Sequence, residues 1–167
     1  MLFRSESAVG RFPVAAVQMM DRVARQTEAY YWHAGLTLHG SHASSAAPLS
    51  FGDAIASATA RLVTDLRAHA VLVISVHGMT AATISAARPS APVVAISSEL
   101  QTCRRMSLMW GMIPHYVDSV GAENPNQIAR RVARELGLAT DGGFVVMVRG
   151  FNADPAINSP SITVLQV

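Results

Sequence analysis

Ser75-Val76-His77-Gly78-Met79-Thr80 gathers two hydroxyls, an imidazole and a glycine into one short stretch. Val71 to Ile74, just before it, is a β-branched run that predicts a strand buried on both faces. Ala81 to Ala87, just after it, is mostly small residues and predicts a helix that Arg88-Pro89 stops. A strand that turns sharply into a helix offers free backbone N–H groups and the positive end of the helix dipole, so an anion such as phosphate is easily held there. The candidate phosphate-binding residues are therefore Ser75, His77, Gly78, Met79 and Thr80, with hydroxyls and amides as donors and no lysine or arginine among them. A plainer reading has Ser75 and Thr80 capping the helix while Gly78 fits the turn. A third makes Ser75 a nucleophile and His77 its base. Against that, side chains two apart on a turn rarely meet, the GxSxG elbow is absent and no acid is paired with them.

Few other side chains suggest chemistry. Glu99, Asp118, Glu123 and Asp141 fall near the ends of expected elements, where capping and turns account for them. His33, His39 and His42 are irregularly spaced without a carboxylate, which favours a solvated or interhelical role over metal binding. Cys103 is alone, which excludes an intramolecular disulfide or a zinc cluster and suits a reducing, cytoplasmic setting; within a helical pattern it reads as a small buried apolar group. Arg104 and Arg105 are expected to cover a helix surface, and nothing in the sequence supports a grip on a second phosphate.

Composition narrows the classes further. Of 167 residues half are hydrophobic and 14% charged, with a formal net charge of +2, which describes a globular chain of one domain plus an extra arm. The basic residues are thirteen arginines and no lysine. A phosphate-loop kinase and Schiff-base chemistry both need a lysine and are excluded. The arginines are scattered, so no nucleic-acid stripe is expected. No apolar run approaches the ~18 residues of a membrane span, and the charged start MLFRSESAVGRFP does not resemble a secretory signal.

The elements that position the turn can be read in order. Pro13 suits the first position of a helix, and Val14, Val17, Met20 and Ala24 recur at helical spacing towards Tyr31. Residues 41–50, SHASSAAPLS, read as a linker between an arm (1–40) and a compact remainder (51–167). Ala54, Ile55, Ala58, Leu62 and Leu66 mark an amphipathic helix with Asp53 near its start. Pro92–Ser97 is a second strand. Glu99–Trp110 is a helix whose apolar face takes in Cys103, Met106, Leu108, Met109 and Trp110. Met112–Val117 is a third strand, with Pro114 placing it near a sheet edge. Asn124–Leu136 is a helix with Ile128, Val132 and Leu136 on one face; Phe144–Val148 and Ile162–Val167 are the last two strands. Helices alternating with strands imply a largely parallel sheet covered on both faces. The helix-free final connection implies an antiparallel last strand.

These residues resemble a known family. MLFRSESAVGRFPVAAVQMM is similar to the segment of pyruvate kinases that reads roughly MLSxE[ST]AxGxYPxEAVxxM, matching at Met1, Leu2, Glu6, Ser7, Ala8, Gly10, Pro13, Ala16, Val17 and Met20 and departing at Phe3-Arg4. There it closes the last strand of the catalytic barrel and forms its last helix. DAIASATARL, TAATISAARPSAPVVAIS and MSLMWGMIP resemble that family's C-terminal domain in order and spacing. The resemblance implies a three-layer α/β/α fold with a mixed five-stranded sheet whose last strand is antiparallel. It also implies a domain that joins subunits and binds a phosphorylated effector, often a sugar bisphosphate, in the loop after its first strand.

That loop in the family resembles T-S-S-G-S-T. Here Ser75, Gly78 and Thr80 keep the pattern, while Val76, His77 and Met79 replace polar or small positions. The family's second effector loop carries a G-x-T-N stretch; here residues 150–160 lack it and place Asp154 where it would repel phosphate. The lysine, magnesium carboxylates and potassium site of those enzymes all precede the point where this sequence begins, so magnesium and potassium belong only to a complete pyruvate kinase. The chain alone is expected not to catalyse transfer from phosphoenolpyruvate to ADP. Met1 falls at an interior Met of the family, which suggests a fragment, a truncated gene or a barrel on another chain. Three functions stand: a regulatory and assembly domain with a phosphorylated sugar or nucleotide effector, a stand-alone module for a phosphorylated metabolite, or a small enzyme using Ser75 and His77. For the arm, an apolar helix face without its barrel implies a homo-oligomer.

Overall fold

The computed structural model describes residues 10–33, 48–139 and 142–167. His39, His42, Asp141, most of the expected linker and the first nine residues lie outside that set, as does the side chain of His33. The described residues fall into two units, the N-terminal helix and the part from residue 48 onward.

Helix α1 (Pro13–His33) forms the first unit. Of its expected apolar positions, Val14 is 70% and Val17 52% exposed, Ala24 is exposed and Met20 is half-buried. No helix among the described residues is long and apolar enough to cross a membrane.

The second unit runs α2 (Phe51–Asp65), β1 (Ala70–Ile74), α3 (Met79–Ala86), β2 (Val93–Ser97), α4 (Leu100–Met106), β3 (Met112–Tyr116), α5 (Pro125–Glu135), β4 (Phe144–Arg149) and β5 (Ser161–Gln166). One mixed sheet has the order β3-β2-β1-β4-β5, and β4–β5 is its antiparallel pair. The three-layer α/β/α expectation holds. Val71, Val73, Val93, Ala95, Val146 and Val148 face α2, α3 and α4, whereas Ala70, Leu72, Val94, Ile96, Val145 and Met147 face α5. That alternation along strands buried on both faces is why the apolar runs are nearly continuous.

Local signals explain most element ends. Ser50 Oγ accepts from Asp53 N at 3.2 Å and Asn124 Oδ1 accepts from Asn126 N at 2.9 Å, capping α2 and α5. Beside α5, Glu123 takes hydrogen bonds from Ser119 Oγ at 2.8 Å and Arg131 Nη2 at 2.7 Å, which hold its carboxyl below the ordinary carboxylate range.

Three helix readings need correction. The buried stripe of α2 is Ala56, Thr59 and Val63; Ala54 and Ala58 are exposed. Thr59 is buried at no polar cost because its hydroxyl donates to Ile55 O at 2.8 Å. Helix α4 stops at Met106 rather than Trp110. Tight turn bonds from Leu108 N to Arg105 O and Met109 N to Met106 O change the register, leaving Leu108 89% and Trp110 44% exposed. Trp110 instead lies beneath Arg88, 5.3 Å from ring centroid to guanidinium. Leu136 is the C-cap of α5 and exposed, so Ile128 and Val132 bury that face without it.

Candidate functional site

The direction of strand addition reverses between β1 and β4. In open parallel sheets the crevice beyond the carboxyl ends at such a point is the usual ligand site. Two loops flank it here: the turn after β1 and residues 150–160 after β4. Pairing of Val73 with Val148 sets their starts side by side.

The turn after β1 leaves its donors open. Ser75 N extends the ladder to Ile96 O at 2.9 Å, and the next bonded amide is Ala82 N, on Gly78 O at 2.9 Å. Between them, the N–H groups of Val76 to Ala81 have no partner among the described residues. Gly78 has φ 88° and ψ −4° and is itself the N-cap of α3, without a side-chain cap bond. A Cβ there would meet Thr102 Cγ2 at 3.7 Å and Met106 Cγ at 3.9 Å, which is ordinary contact. The left-handed backbone, not crowding, is what selects glycine.

The capping reading of Ser75 and Thr80 is thereby overturned. Ser75 is 4% and Thr80 2% exposed, and neither hydroxyl bonds to a described residue. No fully enclosed side-chain polar atom among those residues lacks a partner, so the small exposed part of each includes its oxygen. Val76, His77 and Met79 are exposed at the rim. Ser75 and His77 share no hydrogen bond, so the geometry brings no nucleophile and base together.

One residue that positions the turn was missed in the sequence. Ser97, fully buried at the end of β2, donates to Val76 O at 3.4 Å and accepts from Glu99 N at 3.1 Å. Only the register placing Ile96 beside Ile74 reveals that contact. Behind it, burial pushes the Cys103 thiol up in pKa, and its Sγ lies 3.9 Å from Ser97 O.

The second loop spends its donors on itself. Asn158 Oδ1 accepts from Asn152 N at 3.0 Å, Asn152 Oδ1 from Asp154 N at 2.9 Å, and Asp154 Oδ1 from Ala156 N at 2.9 Å. Its base is closed by Ser159 N on Gly150 O at 3.2 Å. Among the described residues there is no group of three or more His, Cys, Asp or Glu that could hold a metal ion.

Residues 53–162 match the model of the pyruvate kinase alpha/beta domain. The chain belongs to the pyruvate kinase family. It is 31% identical over 166 residues to a pyruvate kinase of Agrobacterium vitis, covering 99% of this chain and 34% of that one. With pyruvate kinase 2 of Synechocystis it shares 32% identity over 150 residues, covering 89% of this chain and 24% of the relative. The solved structure of Cryptosporidium parvum pyruvate kinase in complex with ADP matches 96% of this chain and 32% of its own, at TM-score 0.65 and 25% identity. The chain thus spans about a third or less of the length of these pyruvate kinases, and its match is to their C-terminal part.

Proposed function

We propose that this chain is the regulatory and assembly part of a pyruvate kinase, and that the turn after β1 holds the phosphate of a phosphorylated sugar or nucleotide effector. One observation carries the reading: unpartnered amides from Val76 to Ala81 lie beside two nearly buried, unpartnered hydroxyls at the sheet's switch point. Such an array suits an oxyanion, and the positive end of α3 adds to it. Binding is weak, because residues 150–160 offer a carboxylate and few free donors from the opposite side.

Transfer of phosphate from phosphoenolpyruvate to ADP belongs to the complete enzyme, with its magnesium and potassium. This lysine-free chain is not catalytic alone. The exposed apolar residues of α1, Val14 and Val17 among them, are the surface for a catalytic barrel or for a second copy. A cytoplasmic setting suits a family member with a single thiol.

Thermal unfolding against a panel of inorganic phosphate, sugar phosphates and nucleotides tests the reading. A true ligand at ten times its Kd raises stability by about 1.4 kcal/mol. Ser75→Ala and Thr80→Ala are expected to abolish the shift while barely changing the unliganded midpoint, since neither residue caps α3. An undiminished shift in Thr80→Ala would rule out the cradle.

A further inference from the structure

The two edges of the sheet offer different backbones. Strand order puts β3 at one edge and β5 at the other. Val93 N donates to Gly111 O at 3.4 Å and Val117 N to Ser97 O at 3.0 Å, so Ile113 and His115 turn their backbone groups towards β2. Met112, Pro114 and Tyr116 therefore turn theirs to the open side. Met112 N is drawn onto Met109 O at 3.5 Å, and Pro114 has no N–H. Of these outward positions, only Tyr116 keeps an N–H without a partner among the described residues.

The β5 edge is the reverse. Val167 N donates to Gly143 O at 2.9 Å, and in that register Leu165 and Thr163 face β4 while Ile162, Val164 and Gln166 face outward. Arg130 Nε takes Gln166 O at 3.0 Å, but the outward N–H groups of Ile162, Val164 and Gln166 have no partner among the described residues. Such an edge is a template for another strand. With copies laid side by side in one orientation, β5 of one would run antiparallel to β3 of the next, because β5 opposes the other strands. That contact joins unlike surfaces and does not close, so repetition would build a ribbon. Exposed Tyr116 on β3 and Val164 on β5 would add apolar cover to it.

We propose that Pro114 guards the β3 edge: by removing the central outward donor it refuses the β5 strand of a second copy and prevents head-to-tail growth of the sheet. The sheet itself loses nothing, since a hydrogen on that nitrogen would point away from β2. One residue either way, at Ile113 or His115, a proline would cut a ladder bond.

The test is sedimentation velocity of the full chain, with circular dichroism on the same samples. Pro114→Thr restores the N–H in a residue suited to strands. It is expected to keep the parent's spectrum while its weight-average mass rises about twofold or more above the parent's at equal concentration. Adding Val164→Pro, which removes an outward donor from β5 and leaves the β4 ladder intact, should return the mass to the parent's. Adding Tyr116→Pro instead should do the same from the β3 side. Parent-like sedimentation of Pro114→Thr would overturn the guard, and so would larger species that persist with each added proline, since aggregation through unfolding is not cured by a second proline. Reversal by Tyr116→Pro but not by Val164→Pro would overturn β5 as the strand refused.

Discussion

The turn after β1 and the loop after β4 leave the same end of the sheet side by side, and they treat their backbone donors in opposite ways. Residues 150–160 contain Asn152, Asp154 and Asn158, short side chains whose carbonyl oxygens satisfy nearby N–H groups. Val76, His77, Gly78 and Met79 include no short side-chain oxygen acceptor, so the amides from Val76 to Ala81 stay open to solvent or ligand. The first arrangement stabilises a loop on its own. The second keeps its donors available for something that arrives later. Side-chain length, more than loop length, separates them.

The contrast is easiest to break at its glycines. Gly150→Ala has the largest expected effect: its Cβ would lie 2.4 Å from Ser159 O, at φ 93°. Crowding and left-handed strain together should cost about 2–4 kcal/mol, read by denaturant unfolding, with the self-bonded loop opened. Gly78→Ala meets no such crowding, so strain alone at φ 88° should cost about 1–2 kcal/mol. In a phosphate titration it should lose at least as much affinity as Thr80→Ala. Asp154→Asn is the mildest. Its side-chain oxygen can still accept from Ala156 N, so the midpoint should hold while phosphate affinity rises two- to threefold as the charge disappears. Unchanged affinity would mean that the second loop does not face the ligand.

Much of the fold was legible because it depends on local pattern. β-branched runs marked the strands, Pro13 and Asn124 marked helix starts, and the helix-free final connection marked the antiparallel pair. Helix α4 was misread because Leu108 and Trp110 fit an apolar periodicity that tight turn bonds after Met106 interrupt. At the site, Ser75, Gly78 and Thr80 stood out by type. Their roles did not: a hydroxyl beside a helix start looks like a cap until the backbone shows Gly78 holding that position. Ser97 was hidden for a different reason: its significance comes from strand register, through a contact between residues 21 apart in sequence.

The strand order has a kinetic consequence. β1, α3, β2, α4 and β3 follow one another and add to the sheet in sequence, whereas β4 must come back past all of them to reach Val73 with Val148. Loop closure of that span is costly before the pairing rewards it, so the β1–β4 seam is expected to form late in folding. The candidate ligand crevice lies at the end of that seam. A ligand seated there would bind only the finished chain and would act chiefly as a brake on unfolding.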